Sequence, residues 1–513
     1  MSTNLRFTQK YADSILSVLN CHDRVIVKGY LPFFKDAYLN GFVDSVLRMR
    51  RKDFVPFLEN CSEELVEHAK RLAGDHYRFV QGDHDKERII RGQIHERKLT
   101  EGLVAVLCCM ETCRGVRLRY AEKRPQLQFS KRPQRVLYYY FLDPEFGLIY
   151  VRMQTFFPFT IQVYVNGHDW LARQMAKKQI NFVQNDNAFT QLDDSTAAQC
   201  LADRFPRLPW VRILKHWAYF VNPLLSQKWL RRYSYYWVID QAEYSTDVLF
   251  RRREDLQTLF PRLIDHTLLH FSADDILHFL GRRLHPCFDG EVLTLCRKHR
   301  WPGTRIKHRV KNNWLKMYDK FGQILRIETV INQPREFRVR RQCTRKGISQ
   351  MAWCPMNKGV ANFYRYREVA LASNQRYLDA LAVVDVPPAT ERQLDRLSQP
   401  VSHHGRRRRG LNLMHTEEQK LFQAILRGEH RLNGFRNRDI LNTLHTQPTR
   451  SADERRRRMH RVSRQLQLLR AHGLIGKVPH SHRYQITPKG EAVMSTAIRV
   501  RAKTFPQELP CAA

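Results

Sequence analysis

Apolar and polar positions alternate with period two in two long blocks of the chain. In residues 134–166 the segments QRVLYYYFLD, FGLIYVRMQT and FPFTIQVYVN follow one another, with PEFG and FFPF as turn residues between them. In residues 291–341 the segments VLTLCRKH, TRIKHRVK, WLKMYDK, ILRIETVIN and EFRVRR do the same. Turns this short force antiparallel pairing. DRVIVKGYL (23–31) reads as a strand after an opening helix, GLVAVLCCM (102–110) as a buried strand, and YYWVIDQAEY (235–244) as another. PQLQFSKRPQR (125–135) reads as a polar connector.

Helical spacing fills most of the rest. NGHDWLARQMAKKQI predicts a helix with Asn166 or Gly167 near its cap, and residues 190–232 and 247–283 read as helical. Ser272 is a good N-cap, with acids in the following turn. A helix is expected to begin near Pro355 and run through VANFYRYREVALASNQRYLDALAVVD. The fold class expected is α+β: an antiparallel sheet core with helical insertions and a C-terminal winged helix-turn-helix. The expected divisions are an N-terminal α/β region (1–130), an α+β core (131–385), a basic linker (386–410), a C-terminal module (411–500) and a tail (501–513).

The C-terminal module has its own pattern. EEQKLFQAILRGE, GFRNRDILNTL and SADERRRRMHRVSRQLQLLRAHGLI predict three helices. Met459, Val462, Leu466 and Leu469 recur every three or four residues as one buried stripe, and Arg456, Arg457, Ser463, Arg464 and Gln467 fall largely off it. GLIGKVPHSHRYQITPKG then reads as strand, turn and strand, with His480 and Ser481 at the tip. This order resembles the winged helix-turn-helix of MarR-like regulators, which implies DNA recognition by the arginine-rich helix. The His480-Ser481-His482 triplet has a serine between its histidines and lies on a wing tip, a poor setting for a metal.

Charge decides the partner class. There are 87 Lys and Arg against 50 Asp and Glu, a formal net charge of +37. A polyanion is the natural partner, because each neutralised phosphate releases condensed counterions. Nucleic acid is therefore expected, with DNA favoured and RNA possible. The candidate contacts are Lys316, Arg305, Lys307, the run Arg406, Arg407, Arg408 and Arg409, and Arg456, Arg457, Arg464 and Arg483. No apolar run reaches the length of a membrane span and the first residues carry no signal-peptide core, so a cytoplasmic protein without a membrane partner is expected. Eleven cysteines are scattered, and Cys108, Cys109 and Cys113 lack a second ligand pair for zinc. There is no phosphate-binding loop for ATP and no dinucleotide fingerprint.

The most informative stretch is Trp314 to Asn332, WLKMYDKFGQILRIETVIN. A two-residue loop would mix apolar and polar sets, because register decides the faces. A three-residue loop, Phe321-Gly322-Gln323, pairs Tyr318 with Arg326, Met317 with Ile327 and Lys316 with Glu328. Leu315, Met317, Leu325 and Ile327 then share one face, and Lys316, Tyr318, Arg326 and Glu328 share the other. That polar face is either a solvated sheet surface or a site. A tyrosine hydroxyl can attack a phosphodiester, a carboxylate can hold a divalent metal, and an arginine can orient a phosphate or pair with the carboxylate.

KMYDK followed by LRIE resembles the Y-[DN]-K … R-x-E core of plasmid rolling-circle replication initiators of the trans-acting Rep family, and is similar to a segment of filamentous-phage initiators. The resemblance implies a strand nickase of a mobile element or replicon. Tyr318 would be the nucleophile, Lys320 an assisting base and Glu328 a metal ligand, with Mg²⁺ or Mn²⁺ the expected ion, while Arg326 on the same polar face is a candidate to orient the phosphate or to pair with Glu328. It also implies a metal-binding Asp on an early strand, which Asp23 matches. DQAEYSTD offers Asp240, Glu243 and Asp247 as further carboxylates, with Glu243 the candidate ligand, unless the segment is only a strand-to-helix junction. The His-hydrophobe-His strand of the wider superfamily is absent. A regulator or ribonucleoprotein component that binds without cutting fits the same charge.

Overall fold

We describe the protein from a computed structural model. It describes residues 6–501 apart from 83, 122–123, 283–287, 301–302, 346–347, 383, 385–390, 404, 428–429, 431–433, 446–450 and 480. The chain separates into two compact units. One comprises Leu16–Arg251 and Leu295–Asn374, and the other comprises Met1–Ile15, Arg252–Thr294 and Gln375–Ala513.

The first unit is built on an eleven-stranded sheet. In chain order the strands are β1 (Ile15–Tyr30), β2 (Tyr77–Phe79), β3 (Gly102–Ala121), β4 (Arg124–Asp143), β5 (Gly147–Gln154), β6 (Ile161–Asn166), β7 (Phe182–Asn185), β8 (Ala188–Leu192), β9 (Tyr236–Phe250), β10 (Val292–Arg300), β11 (Gly303–Val310), β12 (Asn313–Lys320) and β13 (Ile324–Ile331). β7 and β8 form a separate hairpin. The other eleven run β10-β11-β12-β13-β9-β1-β6-β5-β4-β3-β2 across the sheet. Pairing is antiparallel from β1 through β6, β5 and β4 to β3, and from β9 through β13 and β12 to β11. Only β2 joins its neighbour β3 in parallel among the registers described.

The alternation read in β5 and β6 is the observed one, with Ile149, Val151, Met153, Ile161, Val163 and Val165 all buried. The helix Arg51–Ala73 adds a helical stripe of Phe54, Leu58, Leu65, Val66 and Ala69 to the core. The centre of the sheet differs from its flanks: every residue of β13 is buried, so both faces of that strand are covered.

Several local expectations give way to long-range pairing. Residues 125–135 are strand rather than connector, because β4 pairs with β3 over its whole length. The boundary expected at 130 therefore falls inside β4. Residues 182–192 form the β7–β8 hairpin, whose last three residues fall in the stretch from 190 expected to be helical. β9 continues through Asp247 to Phe250 before a helix starts at Arg253, so the DQAEYSTD segment is strand, not a junction. Residues Ile348–Pro355 pair with Arg338–Arg345, and the helix expected near Pro355 is Phe363–Leu381.

In the second unit the Ser272 cap is present as a reciprocal pair. Its hydroxyl accepts from the Asp275 amide at 3.3 Å, and its own amide donates to Asp275 Oδ2 at 2.9 Å. Toward the C-terminus, helices Thr416–Ile425, Asn437–Leu444 and Ala452–Ala471 precede the hairpin Ile475–Lys477 with Tyr484–Ile486 and a further helix Pro488–Arg499. Val462, Leu466 and Leu469 are buried with Phe422, Ile440, Ile475, Ile486 and Val493. Met459, expected on that stripe, is 44% exposed because it lies a turn beyond the packed part of the helix. Within the expected linker, Glu391–Ser398 is helical and Val401–His403 pairs with Arg406–Arg408. Residues 386–390 of that linker, His480 and the tail beyond 501 lie outside the described residues. No helix among the described residues is long and apolar enough to cross a membrane.

Candidate metal centre

The β12–β13 hairpin has the register that the alternation predicts. Lys316 faces Glu328, Met317 faces Ile327 and Tyr318 faces Arg326, and Phe321-Gly322-Gln323 form the loop. Gly322 takes φ +70° and Phe321 takes φ +59°, and the Gln323 amide donates to the Lys320 carbonyl at 3.2 Å. Left-handed backbone is costly for phenylalanine. Its ring is held against Ala188, Leu249 and Ile324, which offsets the strain.

β13 lies against β9, where Arg326 faces Asp247, Glu328 faces Ser245 and Val330 faces Glu243. β1, the next strand, carries Asp23. The sheet order thus gathers carboxylates from three strands distant in sequence. Ligand oxygens of Asp23, Glu243 and Glu328 lie within 4.8 Å of one another, and this is the one such group among the described residues. The three side chains are 4%, 7% and 1% exposed. Cys108, Cys109 and Cys113 take no part in such a group.

Hydrogen bonds hold each carboxylate. Glu328 accepts from the Lys316 ammonium through Oε1 and from the Tyr318 hydroxyl through Oε2, both at 2.5 Å. Lys316 also reaches Glu243 Oε1 at 3.7 Å. The Asn187 side chain donates to Asp23 Oδ2 at 2.5 Å, and Asn166 donates to Asp23 Oδ1 at 3.4 Å.

Arg326 is fully buried. It forms a two-pronged pair with Asp247 at 2.6 and 2.5 Å, donates to the Asn187 carbonyl at 2.6 Å and approaches Asp23 at 3.5 Å. Its expected role on a phosphate, or as a partner of Glu328, gives way to one inside the protein: its guanidinium ties β13 to β9 and to β1. Lys320 is likewise engaged, by Asn187 and by Asp186 at 3.2 Å. The polar face of the hairpin is therefore no solvated sheet surface: residues between 166 and 187 meet Arg326 and Lys320, while Lys316 and Tyr318 stay partly exposed.

His168 is a site residue that the sequence reading missed. It is fully buried, with Nδ1 3.6 Å from Asp23 and Nε2 3.8 Å from Asp247. Asn166 caps the helix Gly167–Lys177 by accepting from the His168 amide at 2.8 Å. A Cβ on Gly167 would lie 2.2 Å from the His22 carbonyl, so only glycine lets this helix start so close to β1. The sole sequence signal for His168 was its place just inside a capped helix. Asp247 had been visible only as one of three acids in DQAEYSTD.

Electrostatics sets the protonation. Burial, then the neighbouring Glu328 charge, pushes the Glu243 carboxyl up to about 8. Burial also pushes Glu328 upward, but the Lys316 ammonium beside it outweighs this and leaves it below its ordinary value. Asp23 is held well below the carboxylate range: burial opposes ionisation, and His168 and Arg326 overcome it. His168 is raised, since its two carboxylates outweigh its burial. Burial and the Glu328 charge hold Tyr318 well above its usual value, so its hydroxyl is a donor and not a phenolate. Burial, then the Arg326 charge, lowers the proton affinity of Lys320.

A basic flank adjoins the cluster. Arg305 faces Tyr318, Lys307 faces Lys316 and Arg309 faces Trp314 across β11 and β12. The Lys307 ammonium sits 3.6 Å from the Trp314 ring centroid. On the other side of the sheet order Gln154, Phe156 and Phe157 are core residues, and Arg152 pairs with Glu111 at 2.5 Å. Tyr164 stacks on Tyr150, centroids 5.1 Å apart. In the second unit Arg406, Arg407, Arg409, Arg456, Arg457 and Arg464 are exposed, while Arg408 and Arg483 are partly buried.

No family model, curated protein or solved structure matches the chain.

Proposed function

We propose that the protein binds nucleic acid, with DNA favoured, and is a metal-dependent tyrosine strand nickase of a mobile element or replicon. The observation that carries this reading is the convergence of Tyr318 with three carboxylates from three strands. The donor set fits a hard divalent cation such as Mg²⁺ or Mn²⁺, which takes oxygen ligands. Asp23, Glu243 and Glu328 would hold it. The raised proton affinity of Glu243 comes first from burial and then from the Glu328 charge, and a bound cation would relieve both. Bound there, the cation would polarise a scissile phosphate and lower the proton affinity of the Tyr318 oxygen.

The chain's own groups have definite tasks in this reading. The Tyr318 oxygen would form the new bond to phosphorus as the bond from phosphorus to the leaving sugar oxygen breaks, and the proton that Tyr318 gives up through the Glu328 oxygen it contacts would pass on to solvent, from which the leaving oxygen takes up a proton to become a hydroxyl. Lys316 holds Glu328 in place. Arg326 and His168 position Asp23. Lys307 and Arg305 line the flank for phosphates. The three helices and hairpin near the C-terminus support a winged helix-turn-helix that recognises the target duplex.

One observation favours a second reading. The Lys316 ammonium already bridges Glu328 and Glu243. With Glu243 protonated, Asp23, Asp247 and Glu328 are balanced by Lys316, Arg326 and His168. The cluster is then a self-neutralised core, and the protein is a non-enzymatic DNA- or RNA-binding regulator or ribonucleoprotein component.

A covalent-adduct assay separates the two. Labelled single-stranded and hairpin DNA and RNA are incubated with the protein and Mg²⁺ or Mn²⁺, then run on denaturing gels beside Tyr318→Phe and Glu328→Ala. An adduct that disappears in Tyr318→Phe supports the nickase and names its substrate. Salt-sensitive binding without adduct or cleavage sinks the tyrosine mechanism and leaves the binder.

A further inference from the structure

The strands Arg338–Arg345 and Ile348–Pro355 form a two-stranded ribbon that is not part of the eleven-stranded sheet. The register sets Arg338 against Pro355, Arg340 against Trp353 and Gln342 against Met351. Period two places these six residues on one face. All six are exposed, Trp353 at 61% and Met351 at 55%. The opposite face is the anchored one, where Val339 and Cys354 are buried.

The exposure of Trp353 is unusual within this chain. Trp170, Trp210, Trp217 and Trp237 are buried and Trp229 and Trp314 are partly buried, so Trp353 is the one exposed tryptophan among the described residues. An indole is the side chain with most to gain from packing. Its charge setting selects the partner. From Arg338 to Pro355 the sequence has Arg338, Arg340, Arg341, Arg345 and Lys346 and not one acid. A flat aromatic surface interleaved with guanidinium groups matches a partner that alternates flat π-faces with phosphates. A duplex hides its base faces in the stack, so the ring requires unpaired bases.

We propose that this ribbon is a single-stranded nucleic-acid platform, with Trp353 stacking on a base and Arg338 and Arg340 contacting the flanking phosphates. It shares the polyanionic partner with the function proposed above but uses no residue of the metal centre and needs no metal.

The test uses the full chain in EDTA, so that a failure of the metal chemistry leaves it unaffected. Fluorescence anisotropy is measured with a labelled oligothymidylate, an abasic strand of the same length and a duplex. Trp353→Ala is expected to weaken oligothymidylate binding roughly 5- to 150-fold, the range of one lost base–aromatic stack, and to leave abasic binding unchanged. Arg338→Gln with Arg340→Gln is expected to weaken both single strands and to lower the slope of log affinity against log salt by about 2. Trp353 is solvent-exposed, so its replacement leaves the core intact. Equal oligothymidylate affinity for Trp353→Ala and wild type overturns the platform, as does an equal loss on the abasic strand.

Discussion

Replacing Glu243 by Gln removes a carboxyl whose ionisation both its burial and the Glu328 charge oppose. In the folded protein this carboxyl is raised from 4.5 to about 8 by burial and by Glu328. Between those values the folded chain keeps a proton that the unfolded chain gives up. Stability then falls as pH rises, because the folded state binds more protons. The contribution is fully present below pH 4.5 and is lost as pH climbs through 8. At 1.36 kcal/mol per pH unit the whole span is worth up to about 5 kcal/mol. For a unit this large that is on the order of 10 °C in melting temperature. Gln is a neutral isostere of the protonated acid and can still accept the bond that Gln241 donates at 2.7 Å. Metal-free wild type and Glu243→Gln should therefore melt together near pH 5, and the variant should be the more stable by pH 9. The assay is a series of melts in EDTA from pH 5 to 9, following the transition of the sheet unit. Added Mn²⁺ should raise the wild-type melt most at high pH, where the ligand is already ionised, and the variant much less. Wild-type and variant melts that run parallel from pH 5 to 9 would refute the raised proton affinity of Glu243, and with it the argument that a cation relieves a costly ionisation at the cluster.

Three further outcomes are expected. Arg326→Met strands Asp247 and Asp23 in the interior and should cost about 3–5 kcal/mol by denaturant unfolding, while Arg326→Met with Asp247→Leu recovers most of it; a single-variant cost below about 1 kcal/mol would mean that the guanidinium is not the tie between strands. Gly167→Ala forces a methyl onto the His22 carbonyl and should cost on the order of 1–3 kcal/mol, with the His168 ring resonances shifted in NMR spectra; an unchanged melt and spectrum would contradict the close approach of helix and β1. Neutralising Arg456, Arg457 and Arg464 together should weaken duplex binding and lower its salt slope by about 3, whereas an unaltered slope would remove that helix from the DNA surface.

What could be read without tertiary structure was local. Period-two alternation from Trp314 to Ile331, broken at Phe321-Gly322-Gln323, admits one register that separates apolar from polar, and the hairpin has that register. The caps at Asn166 and Ser272 were legible for the same reason, since a side chain that satisfies its own helix end depends on few other residues. Glu243 and Glu328 were nameable as candidate ligands from the residues around them, and Asp23 only through the family resemblance. The sheet order alone decided that they meet. Arg326 and Asp247 are 79 residues apart, and Arg326 and Asp23 are 303 apart, and no local propensity reports such a pairing. Alternation assigns a residue to a face but cannot tell what lies over that face. Here residues between Asn166 and Asn187 meet Arg326 and Asp23, which turns Arg326 from a ligand-facing group into a buried tie and brings in His168. Residues 125–135 of β4 were misread on the same ground: their hydrogen bonds are satisfied by β3, outside the segment, and the energy of those bonds exists only once the two strands have paired.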